Sequence, residues 1–181
     1  MGFSIMLDSE RYASKPTSRD AAAITKRLQR GGPREVTATE LARAIREGRT
    51  WMAGAFAPSA SGWGQFQGLR VWALDVDNHK DGRQLTPNDS GFVWPETISQ
   101  RLASLGFAPI LCHSTAHATA EAVRFRTVFD VGERITDEAE AREVVSLILQ
   151  RFPEADASCS NLNRLFYGAV NCGIYPYWAA S

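Results

Sequence analysis

Two aspartates separated by one residue follow an apolar stretch near the middle of the chain. The stretch reads GLRVWALDVDNH over residues 68–79, and the aspartates are Asp75 and Asp77. In a strand they share one face, with Cα atoms roughly 6.5 Å apart. Two such carboxylates repel each other and are costly to desolvate, unless a divalent cation with oxygen ligands lies between them. The alternative is a strand that runs out into an ordinary turn, where Asp and Asn are common.

Further polar residues that suit the same chemistry fall on other predicted elements. They are imidazoles and hydroxyls at the end of one strand, two arginines on the next, and a carboxylate after a helix: His113, Ser114, Thr115, His117, Arg124, Arg126 and Asp156. Carboxylates bind metal ions, while guanidinium and imidazole groups bind phosphate oxygens, so the set suits a site for metal ions and a triphosphate. The alternative is that Arg124 and Arg126 form ion pairs with Asp75 and Asp77 on a solvated sheet face, and that His117 and Asp156 are ordinary loop residues.

The composition is that of a globular protein without an overall basic field. The 181 residues are 44% hydrophobic and 22% charged, and the formal net charge is zero, so any site for a polyanion must be a local patch. Three widely spaced cysteines without a CxxC motif indicate neither a disulfide framework nor a structural zinc site. No apolar run approaches membrane-spanning length and no signal peptide is recognised, so we expect a cytoplasmic protein that does not bind membranes.

The elements that position these residues follow from hydrophobic periodicity and from capping and turn residues. Helices are predicted over residues 38–47, from Pro95 to about 105, and from a Thr136 cap to about 152, with a short helix over 21–28. Strands are predicted over residues 51–56, 69–77, 108–114, 123–131 and 165–170.

From residue 68 onward the predicted order is strand, helix, strand, strand, helix, strand. This order matches the split βαβ arrangement of ferredoxin-like and RNA-recognition-motif (RRM-like) sheets, so the predicted fold class is α+β with a βαββαβ sheet. In that arrangement the first and third strands are neighbours, which places Asp75 and Asp77 beside Arg124 and Arg126, on a face that the helices leave open. We expect residues 1–66 to form a small N-terminal α/β unit packed on a catalytic core over residues 67–181, within one domain overall.

Three segments of the chain resemble the motifs of a known family. ALDVDN, then HSTAH followed by VRFRTVFDV, and then FPEADASCSNLNRLFYG resemble, in order, the three motifs of the archaeo-eukaryotic primase superfamily. The resemblance is to the primase-polymerase (PrimPol-like) branch carried by plasmids, phages and mobile elements. It covers roughly residues 36–173, and EGRTWMAGAF resembles the α/β unit that precedes the catalytic sheet in that branch.

The resemblance implies a role for each matching residue. Asp75, Asp77 and Asp156 would be the catalytic carboxylates that bind metal ions. The nucleotide-binding residues would be Ser114 or Thr115, His117, Arg124, Arg126 and Arg164, with the choice between the two hydroxyls left open.

The resemblance also implies an activity and partners. The chain would be a nucleotidyltransferase that makes primers on a single-stranded DNA template from nucleoside triphosphates with Mg²⁺ or Mn²⁺, working with a helicase domain or protein. Two alternatives belong to other classes: a non-catalytic RRM-like module that binds single-stranded nucleic acid, and a replication-initiator endonuclease. The endonuclease needs paired histidines on a central strand and a tyrosine on a helix, and neither pattern is evident in the sequence.

Overall fold

The computed structural model describes residues 2–115, 118–119, 122–170 and 172–175, and in them the chain forms four α-helices and three antiparallel sheets. The helices are α1 (Ser18–Gly31), α2 (Ala38–Arg46), α3 (Pro95–Ser104) and α4 (Glu138–Arg151). The strands are β1 (Gly2–Leu7), β2 (Pro33–Thr37), β3 (Trp51–Met52), β4 (Ala55–Phe56), β5 (Phe66–Val76), β6 (His79–Lys80), β7 (Arg83–Gln84), β8 (Ala108–Ser114) and β9 (Phe125–Ile135). A 3₁₀ turn, Ala157–Ser160, follows α4.

The main sheet is built on two long antiparallel strands, β5 and β9. Its strand order is β4-β5-β9-β8, so the first and third strands of the predicted βαββ order are neighbours. The register places Arg126 of β9 opposite Asp75 of β5 on one side and opposite His113 of β8 on the other. The sheet itself therefore brings a carboxylate, a guanidinium group and an imidazole into one row across three strands.

The prediction of a last strand over residues 165–170 is wrong. Phe166 forms only an isolated antiparallel pair with Trp51, through two N–H···O bonds of 3.0 and 2.8 Å. Two other segments lie along β5 instead: β4 pairs with its beginning, and near its end the N–H of Asp156 donates to the carbonyl of Asp75 at 2.8 Å. The mixed α+β class is confirmed, but the complete ferredoxin-like set of strands is not found among the described residues.

A second sheet, in the order β2-β1-β3, is formed by the N-terminal part of the chain. β1 was not predicted, although its segment GFSIML is mostly apolar, because the first 35 residues are polar overall and carry Pro16, Gly31, Gly32 and Pro33. Residue Thr17 caps α1 with a reciprocal pair of hydrogen bonds to Asp20, which makes this helix longer than predicted.

The remaining helix ends follow the sequence signals with one correction. Thr37 and Glu40 form the predicted capping box of α2, and α3 begins at Pro95 as predicted. The cap of α4 is Asp137 rather than Thr136, since the Asp137 carboxylate accepts a hydrogen bond from the N–H of Glu140 at 2.8 Å.

Neither face of β5 is open to solvent. Val71 and Ala73, which alternation puts on the same face as Asp75 and Asp77, are as fully buried as Trp72 and Leu74 on the other face. Elements from both ends of the chain, namely β1, α4 and the 3₁₀ turn, contact this strand. The expectation of an open sheet face is therefore wrong at these positions.

The buried apolar side chains form one cluster that extends across both sheets. It includes Phe3 and Ile5 of β1, Leu41 of α2, Trp72 of β5 and Ile148 of α4. All three cysteines of the chain are buried, and none of them forms a disulfide. In the part of the chain that the structure describes, no helix has the length and apolar character needed to cross a membrane.

Candidate active site

The centre of the site is a buried carboxylate held by two arginines. Asp75 is only 5% exposed, and both of its oxygens accept hydrogen bonds from Arg126, with Nη2 at 3.1 Å from Oδ2. The second arginine, Arg164, donates from Nη2 to the same Oδ2 at 2.9 Å. The sequence alternative of an ion pair across the strands is thus observed for Asp75 and Arg126, although the pair is buried rather than solvated.

The third predicted carboxylate is joined to the first by Arg164. Its Nη2 donates to Asp156 Oδ2 at 2.8 Å as well as to Asp75, and its Nη1 bonds the hydroxyl of Ser158. Asp156 also caps the 3₁₀ turn, since its Oδ1 accepts a hydrogen bond from the N–H of Ser158 at 2.8 Å. Residues from the end of β5 and from the segment after α4 are therefore fixed against each other.

Asp77 differs from the other two aspartates because its carboxylate is unpaired. Among the described residues, its side chain has no hydrogen bond or ion pair, and it is partly exposed. The next residue, Asn78, has a positive φ of 47° and turns the chain. Its side chain bonds the backbone of Val93 and Val123, which fixes the turn that presents Asp77.

The charges around Asp75 and Asp156 keep both carboxylates ionised. Burial opposes ionisation of Asp75, but Arg126 and then Arg164 outweigh it, so the pKa of Asp75 lies below its ordinary value. Burial likewise opposes ionisation of Asp156, yet hydrogen bonds from Ser158, together with Arg164, lower its pKa. The arginines thus supply the positive charge that stabilises these carboxylates in the absence of a bound ion.

Next to Arg126 lies a neutral histidine. His113 is fully buried, and its Nδ1 donates to the carbonyl of Ser114 at 2.8 Å. Burial, followed by the charge of Arg126, lowers the pKa of His113 to about 3. His113 Nε2 is buried without a hydrogen-bond partner in the described residues. The ring is thus a neutral imidazole, protonated at Nδ1, beside the Asp75–Arg126 pair.

A cavity of about 410 Å³ opens beside these residues. Six of the nine residues predicted from the sequence line it, and they come from four separate segments of the chain: Asp75, Asp77, Thr115, Arg126, Asp156 and Arg164. The Oγ1 atom of Thr115 and the Nε atom of Arg164 are buried without a partner among the described residues. Both have unused hydrogen-bonding capacity at a cavity of the size that small-molecule ligands occupy.

Two of the other three residues have roles elsewhere. Ser114 Oγ accepts a hydrogen bond from the N–H of Gly173 at 2.8 Å, and Arg124 donates to Gln84 Oε1 rather than to an aspartate. Neither lines the cavity, so Thr115 is the hydroxyl that the geometry favours. His117 lies outside the described residues.

Sequence reasoning missed Lys15, Leu165 and Tyr167, which also line the cavity. Tyr167 lies three residues after Arg164 in the segment NRLFYG, so the prediction of a site at Arg164 was the one signal that pointed toward it. Lys15 lies in a polar stretch before α1, and no pattern in the sequence connects that stretch with the strand of Asp75.

A second cavity, of about 640 Å³, shares Asp77 and Asp156 with the first. Backbone and apolar groups around Leu85, Val93 and Pro153 form part of its lining. An edge-to-face aromatic pair, Phe92 and Trp94, follows in the same loop, with ring centroids 4.9 Å apart. The two least buried of the three aspartates thus lie where the cavities adjoin.

The fit of these carboxylates to a divalent metal ion is partial. Their oxygens are the hard ligands that Mg²⁺ and Mn²⁺ prefer, and all three line one cavity. Within the described part of the chain, however, no group of three or more acidic, histidine or cysteine side chains is arranged to hold a metal ion. Asp77 is the carboxylate without a partner among the described residues, whereas Asp75 and Asp156 already accept hydrogen bonds from arginines.

Comparisons of the chain with protein-family models, curated proteins and solved structures give no match.

Proposed function

We propose that the chain is a divalent-metal-dependent nucleotidyltransferase of primase-polymerase type, which extends primers on single-stranded DNA with nucleoside triphosphates. The observation that supports the proposal is the shared cavity. Six residues from three sequence motifs, spread over residues 75–164, line it together. The resemblance of those motifs to the primase superfamily supplies the reaction class, and Mg²⁺ or Mn²⁺ and a DNA template are part of the same proposal.

Four residues of the cavity have roles in this reaction. Asp77 and Asp156 would hold the metal ion, which supplies a Lewis acid for the attacking hydroxyl and the leaving pyrophosphate. Arg164 connects Asp156 to Asp75 and fixes their separation. The unpaired hydroxyl of Thr115 is free to donate to a phosphate oxygen, which would satisfy a buried polar atom.

The endonuclease alternative loses support from the positions of the tyrosines. Tyr12, Tyr167 and Tyr175 all lie outside the helices, and no helix among the described residues contains a tyrosine. The central strand β5 contains no histidine. A binding module without catalysis would not need an unpaired carboxylate in the lining of a cavity, where it repels phosphate.

The test is primer synthesis by an Asp77→Asn variant. Asp77 is preferable to Asp75, because removing Asp75 would leave Arg126 as an unbalanced buried charge and Arg164 with Asp156 alone, and would destabilise the fold. We expect Asp77→Asn to reduce incorporation of labelled nucleotides on a single-stranded template by about 100-fold or more, with an unchanged melting temperature. The products are sized on a gel with Mg²⁺ and with Mn²⁺.

The matched control is Asp81→Asn, the same chemical change at an exposed residue of the β6–β7 turn that lines neither cavity. This variant should retain wild-type incorporation. The proposal is rejected if the wild-type protein makes no product with either ion, or if Asp77→Asn extends primers at the wild-type rate.

A further inference from the structure

The positive charges of the main cavity are not equally available to a ligand. Lys15, Arg126 and Arg164 line the cavity, but both arginines are engaged with Asp75, and Arg164 also with Asp156. Lys15 has no carboxylate within ion-pair distance in the described part of the chain. Its ammonium group is therefore the cation whose charge is not already balanced by the protein.

The loop that carries Lys15 is anchored on the side of β1. Asp8 is 1% exposed, and its carboxylate accepts hydrogen bonds from Arg27 Nε and Nη2 at 2.7 and 2.8 Å. Farther along the loop, the N–H of Tyr12 donates to the carbonyl of Gly48 at 2.9 Å. The approach of the loop to the cavity is thus determined by buried polar contacts.

The loop is also fixed on the side of α1. Pro16, which follows Lys15, is buried, and Thr17 caps α1 through its reciprocal bonds with Asp20. The backbone of Lys15 therefore lies between a fixed loop and a fixed helix start, while its side chain is exposed toward the cavity. When a lysine on such a fixed backbone binds a ligand, less backbone conformational entropy is lost than when the lysine lies on a mobile loop.

An aromatic ring connects Lys15 to the paired charges. Lys15 Nζ lies 6.0 Å from the centroid of the Tyr167 ring, and the carbonyl of Tyr167 accepts a hydrogen bond from Arg126 Nη1 at 3.3 Å. This distance is at the outer limit of a cation–π contact, so the ring stabilises the ammonium group only weakly and leaves its charge uncompensated. Tyr167 thus lies between the ammonium group of Lys15 and Arg126, the ion-pair partner of Asp75.

We propose that Lys15 binds the phosphate tail of the incoming nucleoside triphosphate. The inference rests on the proposed function and adds a residue from outside the three sequence motifs. Lysine provides a compact charge with three donors, which suits the non-bridging oxygens of a polyphosphate chain. The N-terminal loop would then contribute directly to substrate affinity, and the residue is a binding residue rather than an acid or base.

The experiment measures binding of inorganic tripolyphosphate with Mg²⁺ by calorimetry, alongside the steady-state kinetics of nucleotide incorporation. For Lys15→Ala we expect about ten-fold or greater weakening of tripolyphosphate binding, and a KM for nucleotide raised by a similar factor at nearly constant kcat. Lys15→Arg should restore most of the affinity. Lys26→Ala removes another exposed lysine, from α1 and away from the cavity, and should change neither quantity.

The outcomes separate this inference from the proposed function. If Lys15→Ala binds tripolyphosphate as tightly as the wild type does, the role of Lys15 is rejected and the proposed function is unaffected. A wild-type protein that incorporates no nucleotide and binds no tripolyphosphate overturns both. A Lys15→Ala variant with lowered kcat and unchanged KM contradicts a role in substrate binding, and the melting temperature without ligand shows that the variant is folded.

Discussion

The three aspartates of the main cavity carry the same group in three different electrostatic settings. Asp75 is buried and balanced by two guanidinium groups, Asp156 shares one of these and caps a turn, and Asp77 has no partner among the described residues. A cation entering the cavity therefore meets Asp77 first as an uncompensated charge. Arg126 and Arg164 keep the acidic cluster stable while no cation is bound.

His113 makes a testable contribution to the stability of this residue network. Its pKa is lowered to about 3 in the folded protein, chiefly by burial, from an ordinary value of 6.5. Below pH 6.5 the unfolded chain binds a proton that the folded protein excludes, so stability falls as the pH decreases from 6.5 toward 3. We expect a slope of up to about 1.4 kcal/mol per pH unit from this group. Urea unfolding at a series of pH values measures it.

The His113→Asn variant isolates that contribution. An asparagine amide can replace the Nδ1 donor to the carbonyl of Ser114 but does not titrate. The pH slope should therefore be smaller in this variant, whereas His79→Asn, at an exposed position of β6, should keep the wild-type slope. Equal slopes in wild-type and His113→Asn proteins would contradict the assignment of a buried neutral imidazole.

Sequence reasoning identified six residues of the cavity, because the alternation of side chains along a strand is local and the motif resemblance supplied residues such as Arg164. The predicted order of strands placed Asp75 and Asp77 beside Arg124 and Arg126, and the observed register pairs Asp75 with Arg126. Lys15 was not predictable, since its position depends on contacts between a loop and residues more than 30 positions away. The pairing of Arg164 with Asp75 was equally invisible, because it arises where two irregular segments meet.

At the scale of elements, the helices were predicted well and the edges of the sheets poorly. Helix ends carry local chemical signals, such as the capping box of Thr37 and Glu40 or the proline that opens α3. Short strands at sheet edges carry no comparable signal. The predicted last strand failed because β4 and the residues around Asp156 lie along β5, a competition between distant segments that no local pattern encodes.

Gly48, just after α2, is an element boundary at which a side chain cannot be accommodated. Its φ is +78°, and an added Cβ would collide with the backbone carbonyl of Tyr12. We expect Gly48→Ala to lower the free energy of unfolding by about 1–3 kcal/mol or more, from backbone strain and the displaced loop. Urea unfolding provides the measurement.

The comparison for this variant is Gly31→Ala at the end of α1, where an added methyl group meets nothing within 4 Å. That substitution should be neutral or slightly stabilising, since alanine is the better helix former. A Gly48→Ala protein as stable as the wild type would show that the loop before α1 moves freely away from α2.

At the scale of the whole molecule, the two sheets share one apolar core. Trp51 of β3 packs against Phe166, with ring centroids 4.8 Å apart, and Phe166 in turn packs against Trp72 of β5. Arg126 lies over the same ring at 4.6 Å, so the core and the paired charges meet at one aromatic side chain. The stability of the cavity is therefore linked to the N-terminal strands.

We expect the protein to unfold in a single transition. Thermal unfolding curves from far-ultraviolet and near-ultraviolet circular dichroism should coincide, because the core is continuous across both sheets. A fragment that begins at residue 67 should remain unfolded, since it lacks Ile5, Leu41 and Trp51 of that core. Two separate transitions, or a folded fragment, would instead assign residues 1–66 to an independent unit.

The burial of every cysteine has a practical consequence for spectroscopy. Cys112, Cys159 and Cys172 are all shielded, and burial, with the nearby charge of Asp75, raises the pKa of Cys159 to about 12, which keeps it in the unreactive thiol form. A single cysteine introduced on the surface would therefore be the preferred attachment point for a maleimide dye or a spin label. Distances between such probes and a labelled oligonucleotide could then be measured without first replacing the native thiols.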